Sequence, residues 1–82
     1  MKRVEIFWQD AVTHSELRLL EDARDLPPVI MQVLGYMIEE TDKTIVIVGQ
    51  VEATDREDRV CADVHVIPRG CILNIKEIPN DS

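Results

Sequence analysis

Val64 to Ile67 and Cys71 to Ile78 are two strand-like runs separated only by Pro68-Arg69-Gly70. A connector this short forces the second run to fold back on the first or to turn sharply from it. Pro68 fixes φ and cannot donate to a ladder, while Gly70 can take φ > 0, so the segment predicts a tight or single-turn 3₁₀ corner of the kind that small closed barrels use. The corner also holds Arg69 on backbone with little freedom, which is how a binding group is usually presented.

Upstream of the corner the chain alternates short apolar runs with turn chemistry. Val4, Ile6 and Trp8 share one face of a first strand over Val4–Val12, which is β-branched and aromatic in content. Ser15 is a candidate N-cap for a short helix or ordered loop to Arg24, with Leu17, Leu20 and Arg24, or Leu19 and Ala23, at helical spacing, and Leu26-Pro27-Pro28 ends it. Val29–Ile38 reads as a second strand that bends or bulges at Gly35. Polar residues 39–43 turn the chain into a third strand, Thr44–Val51, and the charged run 52–59 reads as a solvated loop. A fourth strand follows over residues 60–67, a fifth over Ile72–Ile78, and residues 79–82 are a frayed tail. The apolar positions Ile45, Ile47, Val60, Val64 and Val66 exceed what one inner face needs, so a homo-oligomer is expected, the alternative being a sheet packed on both sides. The expectation is mainly β: one domain over residues 1–82, its five-stranded antiparallel sheet bent until it closes, because closure removes exposed edges.

Composition narrows the function. An 82-residue chain buries only a modest core. The 9 Lys and Arg against 16 Asp and Glu give −7, which repels a phosphate backbone at long range and disfavours avid nucleic-acid binding, yet two or three local cations can still hold a small anion. The N-terminus has no signal-peptide apolar region and the longest apolar runs have strand length, so a cytoplasmic protein without a membrane partner is expected. Cys61 and Cys71 are then free, buried small hydrophobes. Two Cys and two His without CxxC or HxxxH spacing give no metal-site signature, and no cofactor is expected.

Gly35-Tyr36-Met37-Ile38, then Asp42 and Ile45-Val46-Ile47-Val48, resembles the first motif of Sm-like proteins, and Ile67-Pro68-Arg69-Gly70-Cys71-Ile72-Leu73-Asn74-Ile75 resembles the second. The resemblance spans about residues 29–78 and implies an Sm-like or SH3-like five-stranded barrel, in which the short helix or ordered loop read after strand one replaces the helix that usually precedes strand one in Sm-like proteins. It also implies ring assembly, in which the fourth and fifth strands of neighbouring subunits pair. In the Sm-like pattern the loop after the Asp carries an aromatic or histidine and an asparagine that hold a base. Lys43 and Thr44 stand there in this chain, which weakens an Hfq-like adapter role. Trp8, Asp10, Gly35, Tyr36, Glu39, Glu40, Ile67, Pro68, Gly70, Cys71 and Ile72 together resemble a pattern of small phage and prophage proteins. Several of those act against host defence by sequestering nucleotide messengers.

Arg69 can take a phosphate bidentately and Lys43 as a point charge, with a carboxylate or solvent as the plainer partner. Trp8 is either an inward core residue continuing Val4 and Ile6 or, with Tyr36, a stacking platform. Asp10 with His14 and Asp63 with His65 could pair carboxylate to imidazole, but no nucleophile elbow or phosphate-cradling glycine loop accompanies them, so a non-enzyme is expected. The function read from the sequence is sequestration of a small anionic (cyclic) nucleotide immune messenger at oligomer interfaces through Arg69, Lys43, Tyr36 and Trp8. The alternatives are an Hfq-like nucleic-acid adapter and an acidic protein-binding or mimic module.

Overall fold

The computed structural model describes residues 1–11 and 13–79. Five strands form one antiparallel sheet: β1 (Arg3–Asp10), β2 (Val29–Glu40), β3 (Thr44–Val51), β4 (Cys61–Pro68) and β5 (Ile72–Ile78). Their spatial order is β4-β3-β2-β1-β5. Strands β3 and β5 have the bounds that the sequence predicts. Val12, at the end of the expected first strand, and residues 80–82 of the expected tail lie outside the described residues.

The sheet is not closed, which corrects the expected closed barrel. A single 3₁₀ turn over Arg69–Cys71 follows β4 and redirects the chain so that β5 pairs with β1, Ile75 opposite Ile6, and not with β4. β4 therefore holds only β3, and β4 and β5 occupy the two edges of the sheet.

Register decides which side chains meet, since residues directly opposite on antiparallel strands lie on one face. Ile45 faces Ile67 and Ile47 faces His65 across β3 and β4. That puts Ile67 and His65 inward and turns Val64 and Val66 outward, where they are 54% and 62% exposed. The apolar positions Ile45, Ile47, Val60, Val64 and Val66, more than one inner face needs, are thus split: the two isoleucines are buried and the three valines are exposed. The buried core consists of Val4, Ile6, Ile45, Ile47, Val48 and Ile67, with Trp8, Val33, Met37 and Ile72 packed against it. Ile47 and Val48 point to opposite faces and both are buried, and β2 approaches β3 closely at Gly35. A Cβ on Gly35 would lie 2.6 Å from the Val48 carbonyl oxygen. The register irregularity in β2 falls later, between Met37 and Glu39, so of the expected bend or bulge at Gly35 the bulge is not there, and Gly35 is a point of close approach.

The described residues between β1 and β2 form the expected excursion, but few of them are helical. Among the described residues there, only Leu20–Ala23 makes an α-turn (α1); its N-cap is Leu19 with no side-chain hydrogen bond, and Ser15 does not cap it. A short helix needs a surface on which to bury its apolar face. Leu17, Leu19 and Leu20 find none and are exposed. The far ends of β1 and β2, where Gln9 and Asp10 pair with Ile30 and Val29 beyond the last β5 partner of β1, carry this segment away from the core as a short two-stranded arm. The molecule measures 55 × 25 × 22 Å and its radius of gyration is 16.6 Å. A compact chain of this length has about 12 Å.

Candidate ligand-binding site

Arg69 is placed by backbone before its side chain is considered. Its N–H donates to the Lys43 carbonyl at 2.8 Å, which ties the 3₁₀ corner to the β2–β3 turn. That turn is itself fixed by Thr41, whose hydroxyl accepts the N–H groups of Lys43 at 3.1 Å and Thr44 at 3.0 Å. The Arg69 guanidinium then donates through Nε to the Thr41 carbonyl at 2.6 Å and through Nη2 to Glu40 Oε1 at 2.8 Å. Lys43 and Arg69, 26 positions apart in sequence, therefore belong to one rigid corner. Glu40 already occupies the face of the guanidinium that an external carboxylate or phosphate would take, and the pair is solvent-accessible, at 39% and 49% side-chain exposure. Gly70 departs from expectation: no glycine among the described residues has positive φ, and a Cβ at Gly70 would meet nothing within 4 Å. The corner is made by Pro68 and the 3₁₀ turn, without a left-handed glycine.

Trp8 lies half-buried against the core and beside His65, ring centroids 6.2 Å apart and planes tilted by 59°. The two rings line a cleft of about 430 Å³, between the end of β1 and β4, that is open because the sheet does not close. Pro68 and Cys71, on either side of the corner, form part of the same wall. Trp8 thus serves both readings, as core contact and as cleft wall. Tyr36 is elsewhere. It pairs with Arg3 on β1, whereas Trp8 pairs with Met31, so the two aromatic residues stand five registers apart, about 17 Å along the ribbon. Tyr36 lines a separate cleft of about 260 Å³ with Arg3, Leu34, Gly35, Gly49 and Ile78. Arg3 donates from Nη2 to the Pro79 carbonyl at 2.7 Å, and its Nε is buried with no partner among the described residues.

The four candidate residues accordingly fall into three places. Lys43 and Arg69 come together, Trp8 borders the flank of their corner, and Tyr36 stands apart. Sequence reasoning missed His65, Arg3 and Glu40 as their neighbours. His65 shows its inward orientation only once the β3–β4 register is known, and Glu40 reads in sequence as ordinary turn polarity.

Asp63 takes φ 58°, the one positive φ at a non-glycine among the described residues, and its carboxylate accepts from Gln50 Nε2 at 3.3 Å. No group of three or more His, Cys, Asp or Glu side chains that could hold a metal occurs among the described residues. Both cysteines are free, but Cys61 is exposed and Cys71 half-buried, so neither is the buried hydrophobe expected. No helix among the described residues is long and apolar enough to cross a membrane. Comparison with protein-family models, curated proteins and solved structures finds no match to this chain.

Proposed function

We propose that this chain is a non-enzymatic binding protein, an Sm-like small β-fold that assembles with copies of itself and sequesters a small anionic nucleotide where subunits meet. The observation that carries the reading is the Lys43–Arg69 corner. The backbone bond from Arg69 to Lys43 ties the 3₁₀ corner to the β2–β3 turn, so that two cations stand on adjoining turns, and the 3₁₀ corner leads directly from the edge strand β4 to the edge strand β5. A copy that covers either edge comes up against the corner, so a ligand held there lies at a subunit junction. The outward valines of β4 and the exposed Leu73 and Ile75 of β5 give those edges apolar surface to bury.

Arg69 in the free protein holds Glu40, and a phosphate would exchange with that carboxylate, which uses the same donor geometry. The Trp8–His65 cleft on the flank of the corner offers rings for a base. With −7 overall and Glu39, Glu40 and Asp42 around the corner, a long polyanion is repelled, which favours a mononucleotide-sized ligand over an RNA strand. Calorimetric titration with cyclic mono-, di- and trinucleotides tests this. Saturable binding of one of them supports the reading, and no binding at about 100 μM, roughly 5.5 kcal/mol, removes it in favour of an acidic protein-binding module.

A further inference from the structure

We infer that two copies of this chain pair antiparallel along the first half of β2, residues 29–34, across a two-fold axis. Among the described residues, this half-strand is hydrogen-bonded to β1 alone. The β1 ladder runs from Asp10–Val29 to Arg3–Tyr36, whereas the β3 ladder takes up only Tyr36 through Glu40. Among the described residues, no backbone bond joins residues 29–34 on the side away from β1. Every second residue there directs its N–H and C=O into open space, which is the pattern that accepts another strand.

The side chains describe an interior strand, although it stands at an edge. Ile30 and Leu34 on one face are 58% and 56% exposed, and Met31 on the other is 40% exposed beside Val33, which reaches the core. Apolar residues on both faces are the signature of a strand covered on both. Edge strands that stay free in solution usually carry charge, lysine above all. β5 has Lys76 and Glu77 and β4 has Asp63, but residues 26–38 contain no charged side chain at all.

That neutrality also identifies the occupant. In a chain of −7, most segments that meet their own copy bring like charges together, and this stretch does not. An antiparallel pair of identical strands is self-complementary, as a two-fold interface requires. The exposed leucines of the arm, Leu17, Leu19 and Leu20, lie at the end of the same ribbon and extend the apolar surface. The pairing rests on the free edge of β2 and holds whether or not β4 and β5 also associate.

Residue-resolved hydrogen exchange on the wild-type protein at tens of micromolar tests it directly. The amides of residues 29–34 that face β1 are protected in either case. Those that face away exchange more than about tenfold more slowly than unpaired backbone if the strand is paired, and at the unpaired rate if it is not, which overturns the inference. Sedimentation supplies the second reading. The wild type has an even number of subunits, and the double variant Ile30→Lys, Leu34→Lys, which places like charges across the axis on an already exposed face, halves the mass. An odd subunit number, or a folded double variant of unchanged mass, overturns the pairing.

Discussion

Glu40→Gln separates the two roles that Arg69 can play. In the free protein the guanidinium donates to Glu40 at 2.8 Å, in a pair whose side chains are 39% and 49% exposed. Pairs this open are worth about 0.2–1 kcal/mol, so the substitution lowers stability by that amount at most, and the neutral amide still accepts a hydrogen bond. If a nucleotide phosphate takes the place of the carboxylate, the same energy opposes binding in the wild type. Removing it raises affinity by about 1.4- to 5-fold. Arg69→Ala acts the other way: loss of a charge-assisted contact weakens binding by about 1.5–3 kcal/mol, more than tenfold. It also deletes the bond to the Thr41 carbonyl, so its stability cost is about 1–2 kcal/mol, above the few tenths that a bare surface residue would carry. Urea denaturation and calorimetric titration of both variants give the four numbers. Weaker nucleotide binding by Glu40→Gln, or an Arg69→Ala affinity equal to wild type, would refute the assignment of phosphate to this corner.

Three further outcomes follow from the fold. Gly35→Ala destabilises by about 1–3 kcal/mol or more in urea, because the added Cβ meets a backbone carbonyl at 2.6 Å that cannot swing aside, whereas Gly70→Ala, in open space at negative φ, stabilises by about 0.4–1 kcal/mol. Val66→Lys leaves stability within about 0.5 kcal/mol, since the side chain is 62% exposed, but removes any assembly formed through the β4 edge; sedimentation at micromolar concentration reads the loss. Alkylation of the folded protein modifies exposed Cys61 before half-buried Cys71, with both thiols free at the outset; mass spectrometry of timed samples gives the order.

The strands were legible because alternation and turn chemistry are local. Val4, Ile6 and Trp8 declare an inward face, and Pro27-Pro28, the polar turn 39–43 and Pro68 mark where strands start and stop. What the sequence could not supply was non-local. Along residues 60–67, Val60, Ala62, Val64 and Val66 are more apolar than their alternates Cys61, Asp63, His65 and Ile67, so hydropathy favours the wrong face, and only the pairing of Ile45 with Ile67 turns His65 inward. Closure failed for a related reason: a short corner fixes that β5 leaves β4 sharply, but not that it docks on β1. The helix signals at Ser15 and the leucines were real as propensities, and without a surface to pack on they yield one turn. For the site, Lys43 and Arg69 could be named singly from turn positions, but their union depends on the bond from the Arg69 N–H to the Lys43 carbonyl, and the competing Glu40 becomes visible only with it.

Native mass spectrometry of the protein purified from cells under non-denaturing conditions tests the central claim most directly, since it reports subunit number and retained small molecules together. The account predicts an oligomer, with an even number of subunits, that carries additional mass of nucleotide size, released on Arg69→Ala. A bare monomer at micromolar concentration would contradict it.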